Sequence, residues 1–294
     1  MSLSTHRVVV LRGGPSAAYD SSLRTGRFIL DNLPSKFEGV DVLVDKQGAW
    51  HVAGLPKLPG RILHHADLVW NVLHAHADQA ASLFGVDVIG PSGIALAAVT
   101  NKSVARDVFA SAGIRMPHAV VVRKEDFNQQ AVREIFATVP HPARVSAAGV
   151  DVAILVHTLP ELSEALAAVF AVASTAIVQE EIVGRRALSG VIGGYRGQEE
   201  YLLPVMDLES RDHRSLLASE KEEVSRLASL AHHALGGPAY SQSEVVIHPR
   251  RGVFLIDSNP SPVLHDTSPF IHSLGLVGGG GRDFVEHIIG RNVR

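Results

Sequence analysis

The C-terminal third of the sequence carries acidic and amide side chains whose spacing suits a metal site. Glu244 lies in one β-branched segment, and Asp257 and Asn259 lie in the next, across a turn at 249–252. Residues two apart on a strand share a face, and opposed antiparallel strands would bring Glu244 close to that pair. Two carboxylates and an amide oxygen form a hard-oxygen set that suits Mg²⁺, with phosphate oxygens completing the shell. The same spacing also fits a solvated strand face with a turn acid, so both interpretations stay open.

Other charged side chains could contact a nucleotide. Lys102 and Arg144 come from different segments of the middle of the chain and could pair with phosphates. Glu180 and Glu181 end a strand-like segment and could meet a base or a ribose. Each of these residues, taken alone, is more typical of an ordinary surface charge.

Near the N-terminus, the β-branched segment RVVVL ends in a glycine turn, Gly13-Gly14-Pro15-Ser16, and a helix-like segment follows. The turn lacks both the GxGxxG pattern of dinucleotide sites and the GK[ST] of a phosphate loop, so its glycines more simply allow close packing of a helix. Asp20 falls at the start of this helix, where it could meet an ammonium group. An ordinary helix-start acid explains Asp20 equally well.

The histidines do not indicate a zinc site. His74 and His76 are two apart and could chelate a metal on a strand, but the sequence contains no HExxH motif and no cysteine. We therefore expect no dedicated zinc ion and no disulfide.

Composition excludes several classes of protein. The 294 residues are 46% hydrophobic and 19% charged, which predicts a large core. The formal net charge of −3, from 27 basic and 30 acidic residues, argues against a nucleic-acid surface. The longest apolar stretch, which starts at Ala165, is shorter than the roughly 17–25 residues of a spanning helix. With no signal peptide apparent, these features predict a cytoplasmic protein with no membrane partner.

Strand-like and helix-like segments alternate along the chain and predict an α/β protein of three domains. Residues 1–100 predict an N-terminal domain with a doubly wound, largely parallel sheet. Residues 101–185 predict a small central α+β domain, and residues 186–294 a C-terminal domain with two hairpins around a helix. Ser219 and Glu222 predict a capping box at the start of that helix.

Taken together, these segments resemble the D-alanine–D-alanine ligases of the ATP-grasp superfamily. The match runs in order along nearly the whole chain, which implies a three-domain ATP-grasp architecture. The segments that carry it are RGGPSAAYDSSLRTG, DLVWNVLH, NKSVARDVFASAGIRMP, IVQEEIVGRR and SEVVIHPRRGVFLIDSNPSP. The hinge segment IVQEEIVGRR and the C-terminal hairpin are the more specific motifs.

The resemblance implies substrate-binding roles for three residues. Asp20 would present a carboxylate to the amino group of the first D-alanine, and His74 would lie near the same substrate. Ser268 would take the carboxylate of the second substrate.

The resemblance also implies sites for ATP and Mg²⁺. Lys102 and Arg144 would reach the ATP phosphates. The adenine would be held by the hinge residues Glu180, Glu181 and Val183, and Mg²⁺ by Glu244, Asp257 and Asn259. ATP would phosphorylate one D-alanine carboxylate, and the amine of a second D-alanine would attack the acyl phosphate, in peptidoglycan precursor synthesis.

Several positions depart from the family pattern, and they cluster at the implied site. Gln242 replaces an arginine that stabilises the tetrahedral intermediate, and Val263 replaces a glycine whose N–H helps to hold the oxyanion. Arg186, or Ala187 with a one-residue shift, stands where the family has a ribose-binding acid. AAGVDVA replaces a glycine-rich phosphate loop, and only ESRDHRSLLA remains of a long closing loop. Losing one oxyanion donor typically lowers the rate by about 10²–10³-fold.

Three interpretations of function follow. The first is a D-alanine–D-alanine ligase-like carboxylate–amine ligase, which would use ATP and D-alanine or a similar amino acid and could form a homodimer. The second is a catalytically impaired relative that acts as a binding module and keeps nucleotide affinity. The third is an ATP-grasp ligase for another amino acid or a peptide.

Overall fold

The computed structural model describes residues 6–16, 18–73, 84–91, 93–147, 153–210 and 212–293. These residues form three β-sheets with helices packed against them, in the order that the sequence predicts. The α/β fold is therefore confirmed, while the domain boundaries at 100 and 185 stay predictions. Among the described residues, no helix has the length and apolar character needed to cross a membrane.

The first sheet has parallel strands at its centre and an antiparallel edge. Its strands are β1 (His6–Gly13), β2 (Phe37–Val44), β3 (Trp50–Val52), β4 (Leu55–Pro56), β5 (Leu68–Asn71) and β6 (Asp87–Ile89). The order across the sheet is β4-β3-β2-β1-β5-β6, in which β2, β1, β5 and β6 are parallel. Helices α1 (Tyr19–Asp31) and α2 (Pro59–Leu63) pack on opposite faces, against Val8 and Val9 respectively, so the sheet is doubly wound as predicted.

Glycine is required at the turn that leads from β1 to α1. Gly13 and Gly14 both have φ of +93°, a region that other residues rarely adopt. A Cβ atom on Gly13 would lie 2.3 Å from the carbonyl oxygen of Val44. The Gly13 N–H donates to Ser22 Oγ at 2.9 Å, which ties the turn to the helix. The turn therefore serves close packing, as its lack of a phosphate-loop motif indicates.

The second sheet is antiparallel throughout. Helices α3 (Gly93–Thr100) and α4 (Lys102–Ser111) precede it, and its strands are β7 (Ala119–Arg123), β8 (Ala143–Ala147), β9 (Ala153–Val156) and β10 (Thr175–Glu180). The strand order is β7-β10-β8-β9. Helices α5 (Gln129–Thr138) and α6 (Leu159–Val172) bury their apolar faces against it, with Val132 and Leu166 in one cluster with Val145 and Val178.

The third sheet carries both predicted hairpins. Its strands are β11 (Arg185–Gly193), β12 (Glu200–Leu202), β13 (Met206–Asp207), β14 (Tyr240–His248) and β15 (Gly252–Asn259). The order is β12-β11-β14-β15, with β13 also paired to β11. Helix α7 (Ala218–Ala234) packs on one face, and α8 (Pro269–Leu276) and α9 (Gly281–Asn292) follow.

The predicted capping box of α7 is wrong by two residues. The helix begins at Ala218, and the carboxylate that caps it belongs to Glu220, which accepts from the Leu217 N–H at 2.8 Å. Glu220 is also held by Arg185, whose Nη2 lies 2.5 and 2.6 Å from the two carboxylate oxygens. Because Arg185 holds Glu220 in this capping position, the N-cap is Leu217 rather than the predicted Ser219.

An aromatic cluster joins the first sheet to the C-terminal helices. Trp70 of β5 packs against Tyr240 and Phe284, and its Nε1–H donates to Tyr240 Oη at 3.3 Å. Thr25 Oγ1 of α1 accepts from the Leu264 N–H at 3.0 Å. The N-terminal and C-terminal parts of the chain therefore share one buried core.

Candidate active site

The predicted metal ligands lie on one face of the C-terminal hairpin. Glu244 and Asp257 are direct partners in the β14–β15 ladder, and Gln242 is the partner of Asn259. Partners in an antiparallel ladder share a face, so these four polar side chains lie side by side. The register shifts immediately beyond Glu244, where Ile256 is an additional residue on β15. Such β-bulges re-aim side chains, which suits a ligand-binding position.

An arginine of the same sheet contacts the first predicted metal ligand. Arg186 of β11 places Nε 2.7 Å from Glu244 Oε1, and its Nη2 contacts the same oxygen. The Arg186 side chain is 59% exposed and that of Glu244 is 24% exposed. Arg186 therefore neutralises Glu244 while keeping room to move away.

The other two predicted metal ligands make short-range contacts. Asn259 Oδ1 accepts from the Ser261 N–H at 2.8 Å, and Asp257 Oδ1 accepts from the Ser258 N–H at 2.9 Å. Two carboxylates and an amide oxygen on one face are a donor set that fits Mg²⁺ once Arg186 has moved. No group of three or more His, Cys, Asp or Glu side chains suited to a metal occurs in the described ranges, in keeping with a set that holds only two carboxylates.

Glu180, predicted to face a base or ribose, is buried and ion-paired. It is 4% exposed and binds Arg251 of the β14–β15 turn through both guanidinium Nη atoms, one of them at 3.2 Å. Burial raises the pKa of the Glu180 carboxyl, but Arg251 and the His118 N–H outweigh it and hold that pKa below its ordinary value. The pair ties the second sheet to the third, and a contact of Glu180 with a nucleotide stays a prediction.

Two further predicted nucleotide contacts bind each other. Arg144 of β8 donates from Nη2 to Glu181 Oε1 at 3.0 Å, and its Nε contacts the second carboxylate oxygen. The hydrogen bond to Glu181 raises the pKa of the Arg144 guanidinium. Both side chains remain partly exposed, at 45% and 29%. A phosphate that approached Arg144 would compete with Glu181 for it.

Lys102 and Val183 are exposed, as ligand-binding residues would be. Lys102 is the first residue of α4, whose N-cap Asn101 accepts from the Ser103 N–H at 2.9 Å. A cation at a helix N-terminus opposes the helix dipole, so helix stability does not explain this lysine. Val183 is 68% exposed in the segment between β10 and β11.

An apolar cluster lies beside the carboxylates and was not predicted as part of the site. It consists of Ile182, Val246 and Phe254, with Ile256 packed against them. Val246 lies two residues from Glu244 on β14 and is the ladder partner of Phe254. Period-two alternation from Glu244 to Val246 is the sequence signal that could have found it. The site therefore combines an apolar patch with hard oxygen ligands.

The predicted substrate-binding residues fall on different elements. Asp20 is exposed in the first turn of α1. Ser268 is buried and caps α8, where its Oγ accepts from the His265 N–H at 3.3 Å and the Ile271 N–H at 3.5 Å. His74 lies outside the described residues, and its role stays a prediction. The bond from Leu264 to Thr25 keeps the elements of Asp20 and Ser268 next to each other.

Comparisons with known proteins find relatives and structural neighbours over nearly the whole chain. No family model matches the chain. The chain is 27% identical to a D-alanine–D-alanine ligase of Geobacter sulfurreducens over 98% of this chain and 94% of the relative. A D-alanine–D-alanine ligase of Citrifermentans bemidjiense is 26% identical over 98% and 95%.

Two solved structures of ligases have the same fold as this chain. The VanG D-Ala:D-Ser ligase of Enterococcus faecalis has a TM-score of 0.86 at 19% identity and covers 99% of this chain and 100% of its own. The D-alanine–D-alanine ligase of Coxiella burnetii has a TM-score of 0.86 at 15% identity, over 98% and 95%. The chain thus has the ATP-grasp fold. In sequence it is a divergent relative of the D-alanine–D-alanine ligases over nearly its full length.

Proposed function

We propose that this protein is an ATP-dependent carboxylate–amine ligase that joins D-alanine to a second D-alanine or a similar amino acid. The observation that carries the proposal is the direct pairing of Glu244 with Asp257, with Asn259 on the same face. Two carboxylates directly opposite each other in an antiparallel ladder repel and destabilise the hairpin, so hairpin stability does not explain their presence. Arg186 offsets part of that cost by pairing with Glu244, and a divalent cation bound by both carboxylates would offset it once Arg186 has left.

The reaction would proceed in two displacements. A carboxylate oxygen of the first amino acid attacks the terminal phosphorus of ATP, and ADP leaves. The amine of the second amino acid then attacks the carbonyl carbon of the acyl phosphate, and phosphate leaves with the original carboxylate oxygen. Both steps need little covalent chemistry from the protein, whose task is positioning and charge neutralisation.

The chain's own residues would divide that task. Lys102, at the exposed start of α4, and Arg144, once released from Glu181, would bind phosphate oxygens. The exposed Val183 and the Ile182–Phe254 cluster would contact the apolar adenine. Asp20 would bind the ammonium group of the first amino acid, and His74 would lie near the same substrate. The α8 N-terminus at Ser268 would take the carboxylate of the second.

Glu244, Asp257 and Asn259 would hold Mg²⁺. When bound, the ion neutralises phosphate oxygens and orients them for transfer. Arg186 must leave Glu244 for this to occur, and its exposure allows it to do so. Glu181 and Glu180 are assigned supporting roles, the first as the partner of Arg144 and the second as the buried partner of Arg251.

A second candidate function is a nucleotide-binding module without ligase activity. Arg186 supports it, because a guanidinium on Glu244 supplies in advance the positive charge that a metal would bring. Gln242 and Val263, which replace oxyanion-stabilising residues of the family, support it as well. In this case nucleotide binding would not depend on a divalent cation.

The experiment that separates the two measures ADP and dipeptide formation from Mg-ATP with D-alanine, D-serine or both. A ligase produces ADP and dipeptide in equal amounts, and Asp257→Ala removes both. Glu38→Ala, which alters an exposed carboxylate on the first sheet, is the matched control and retains activity. Tight nucleotide binding with no dipeptide from the wild type would reject the ligase and favour the binding module.

A further inference from the structure

The segment that leads to the proposed base contact at Val183 begins with a glutamine on the open face of the second sheet. Gln179 lies near the end of β10, and its ladder partner on β8 is Arg144. The neighbouring Val178 and Val145 pack beneath α5 and α6. Side chains alternate between the faces of a sheet, so Gln179 and Arg144 lie side by side on the opposite face. Gln179 is therefore next to the proposed phosphate contact and in the same segment as the proposed base contact.

The two acids that follow Gln179 are each bound by an arginine. Glu180 is buried against Arg251, and Glu181 is bound by Arg144. Gln179 is half-buried and carries an uncharged amide. The two carboxylates are thus already engaged, and the Gln179 amide is the remaining polar side-chain group of this short segment that a base on this face can contact.

Arg106 of α4 fixes which end of the Gln179 amide can meet a ligand. Its Nη1–H donates to Gln179 Oε1 at 3.2 Å, and its Nη2–H donates to the Pro117 carbonyl oxygen at 2.8 Å. A guanidinium only donates hydrogen bonds, so the amide oxygen must face Arg106 and the amide nitrogen must point away from it. Within the described ranges, Gln179 Nε2 donates to no other group. The amide therefore offers an N–H donor to a ligand.

A donor at this place discriminates between purine bases. Adenine has an amino group at position 6, which also donates, whereas hypoxanthine and guanine have a carbonyl oxygen there, which accepts. An amide N–H that faces an amino group forms no hydrogen bond, and both donors lose contact with water. An amide N–H that faces the carbonyl oxygen is satisfied. The geometry of Gln179 thus favours a base with a carbonyl group at position 6.

We propose that Gln179 selects the base of the nucleotide, so that the site binds a purine nucleoside triphosphate with a carbonyl group at position 6 more tightly than ATP. The inference rests on the proposed function, which places the nucleotide on this face of the second sheet. Arg106 is a positioning residue, because it holds the amide without contacting the base. ATP still binds through its phosphates to Lys102 and Arg144 and supports the reaction with lower affinity.

Calorimetric titration of the full chain with Mg-ATP and with Mg-ITP, without an amino acid, tests the proposal. Inosine triphosphate differs from ATP in the base only at position 6. We expect ITP to bind about tenfold more tightly, which corresponds to one hydrogen bond. ATP that binds as tightly as ITP or more tightly would overturn the inference, and dipeptide formation would then still support the ligase. Binding of neither nucleotide would overturn both, whereas a preference for ITP without dipeptide formation would reject the ligase alone.

Three variants locate the preference. Gln179→Glu places an acceptor at the same position and should reverse the preference, so that ATP binds more tightly than ITP. Arg106→Ala lets the amide turn either end towards the base, and the two affinities should come within about threefold of each other. A general loss of stability would weaken both nucleotides alike and leave their ratio unchanged. Gln198→Glu, at an exposed glutamine between β11 and β12, is the matched control and should keep the wild-type ratio.

Two results would refute the role of Gln179. One is a Gln179→Glu protein with the same ratio of affinities as the Gln198→Glu control. The other is a wild-type preference for ATP that Glu181→Gln abolishes, which would show that Glu181, once released from Arg144, contacts the base instead.

Discussion

Replacing Arg186 with alanine should increase the affinity of the protein for a divalent cation. Arg186 binds Glu244 through two nitrogens and must leave before the carboxylate can coordinate a metal. A largely exposed ion pair contributes about 0–1 kcal/mol. Removing the positive charge also removes its repulsion of the incoming cation, about 1 kcal/mol at a few ångströms in a watery environment. The expected gain is about 1–2 kcal/mol, or about 5- to 30-fold in Kd.

Mn²⁺ titration followed by electron paramagnetic resonance measures this gain directly, with Mg²⁺ as competitor. Arg185→Ala is the matched control, because Arg185 is the neighbouring residue and also holds a carboxylate, Glu220, through a guanidinium nitrogen. The control should leave the metal affinity unchanged. An Arg186→Ala protein that binds Mn²⁺ no better than wild type would show that Arg186 does not compete with the metal at Glu244.

Three further predictions concern stability. Gly13→Ala should lower the free energy of unfolding by roughly 2–3 kcal/mol in urea denaturation, because a Cβ there would lie 2.3 Å from the Val44 oxygen. Gly48 has a similar φ but no atom near its Cβ position, so the control Gly48→Ala should lower that free energy by only about 1 kcal/mol. Arg251→Ala should cost about 2–3 kcal/mol, since it leaves the buried Glu180 carboxylate unpaired, and the exposed Arg250→Ala should change little. Burial lowers the pKa of His232 to about 4, so the unfolded state binds more protons than the folded state between about pH 4 and 6.5. The free energy of unfolding should therefore be fully retained above pH 6.5 and should fall by roughly 3 kcal/mol towards pH 4. His232→Gln should flatten this slope, and an unchanged slope would show that another group titrates.

The elements that position the site were predictable because their signals are local. The turn at 249–252 between two β-branched segments predicts a hairpin, and the hairpin predicts that Glu244 meets Asp257. The close packing of the glycine turn after β1 is likewise predictable from a local signal, because two adjacent glycines separate a strand from a helix.

Ion pairs between distant residues were not predictable from local patterns. Arg186 reaches Glu244 across 58 residues, Arg251 reaches Glu180 across 71, and Arg144 reaches Glu181 across 37. Nothing in the spacing of a single charge indicates which partner the fold will bring to it. These ion pairs bear most directly on the predicted site, because they occupy carboxylates and cations that the sequence predicts to contact ligands.

Oxygen transfer from substrate to phosphate tests the proposed ligase most directly. D-alanine labelled with ¹⁸O in its carboxylate is incubated with Mg-ATP and the protein, and the released phosphate is analysed by mass spectrometry. The proposed mechanism predicts one ¹⁸O atom in each phosphate formed with dipeptide, because the carboxylate oxygen leaves with the phosphoryl group. Phosphate released without ¹⁸O would contradict an acyl phosphate, and with it the central claim that this hairpin site activates a carboxylate.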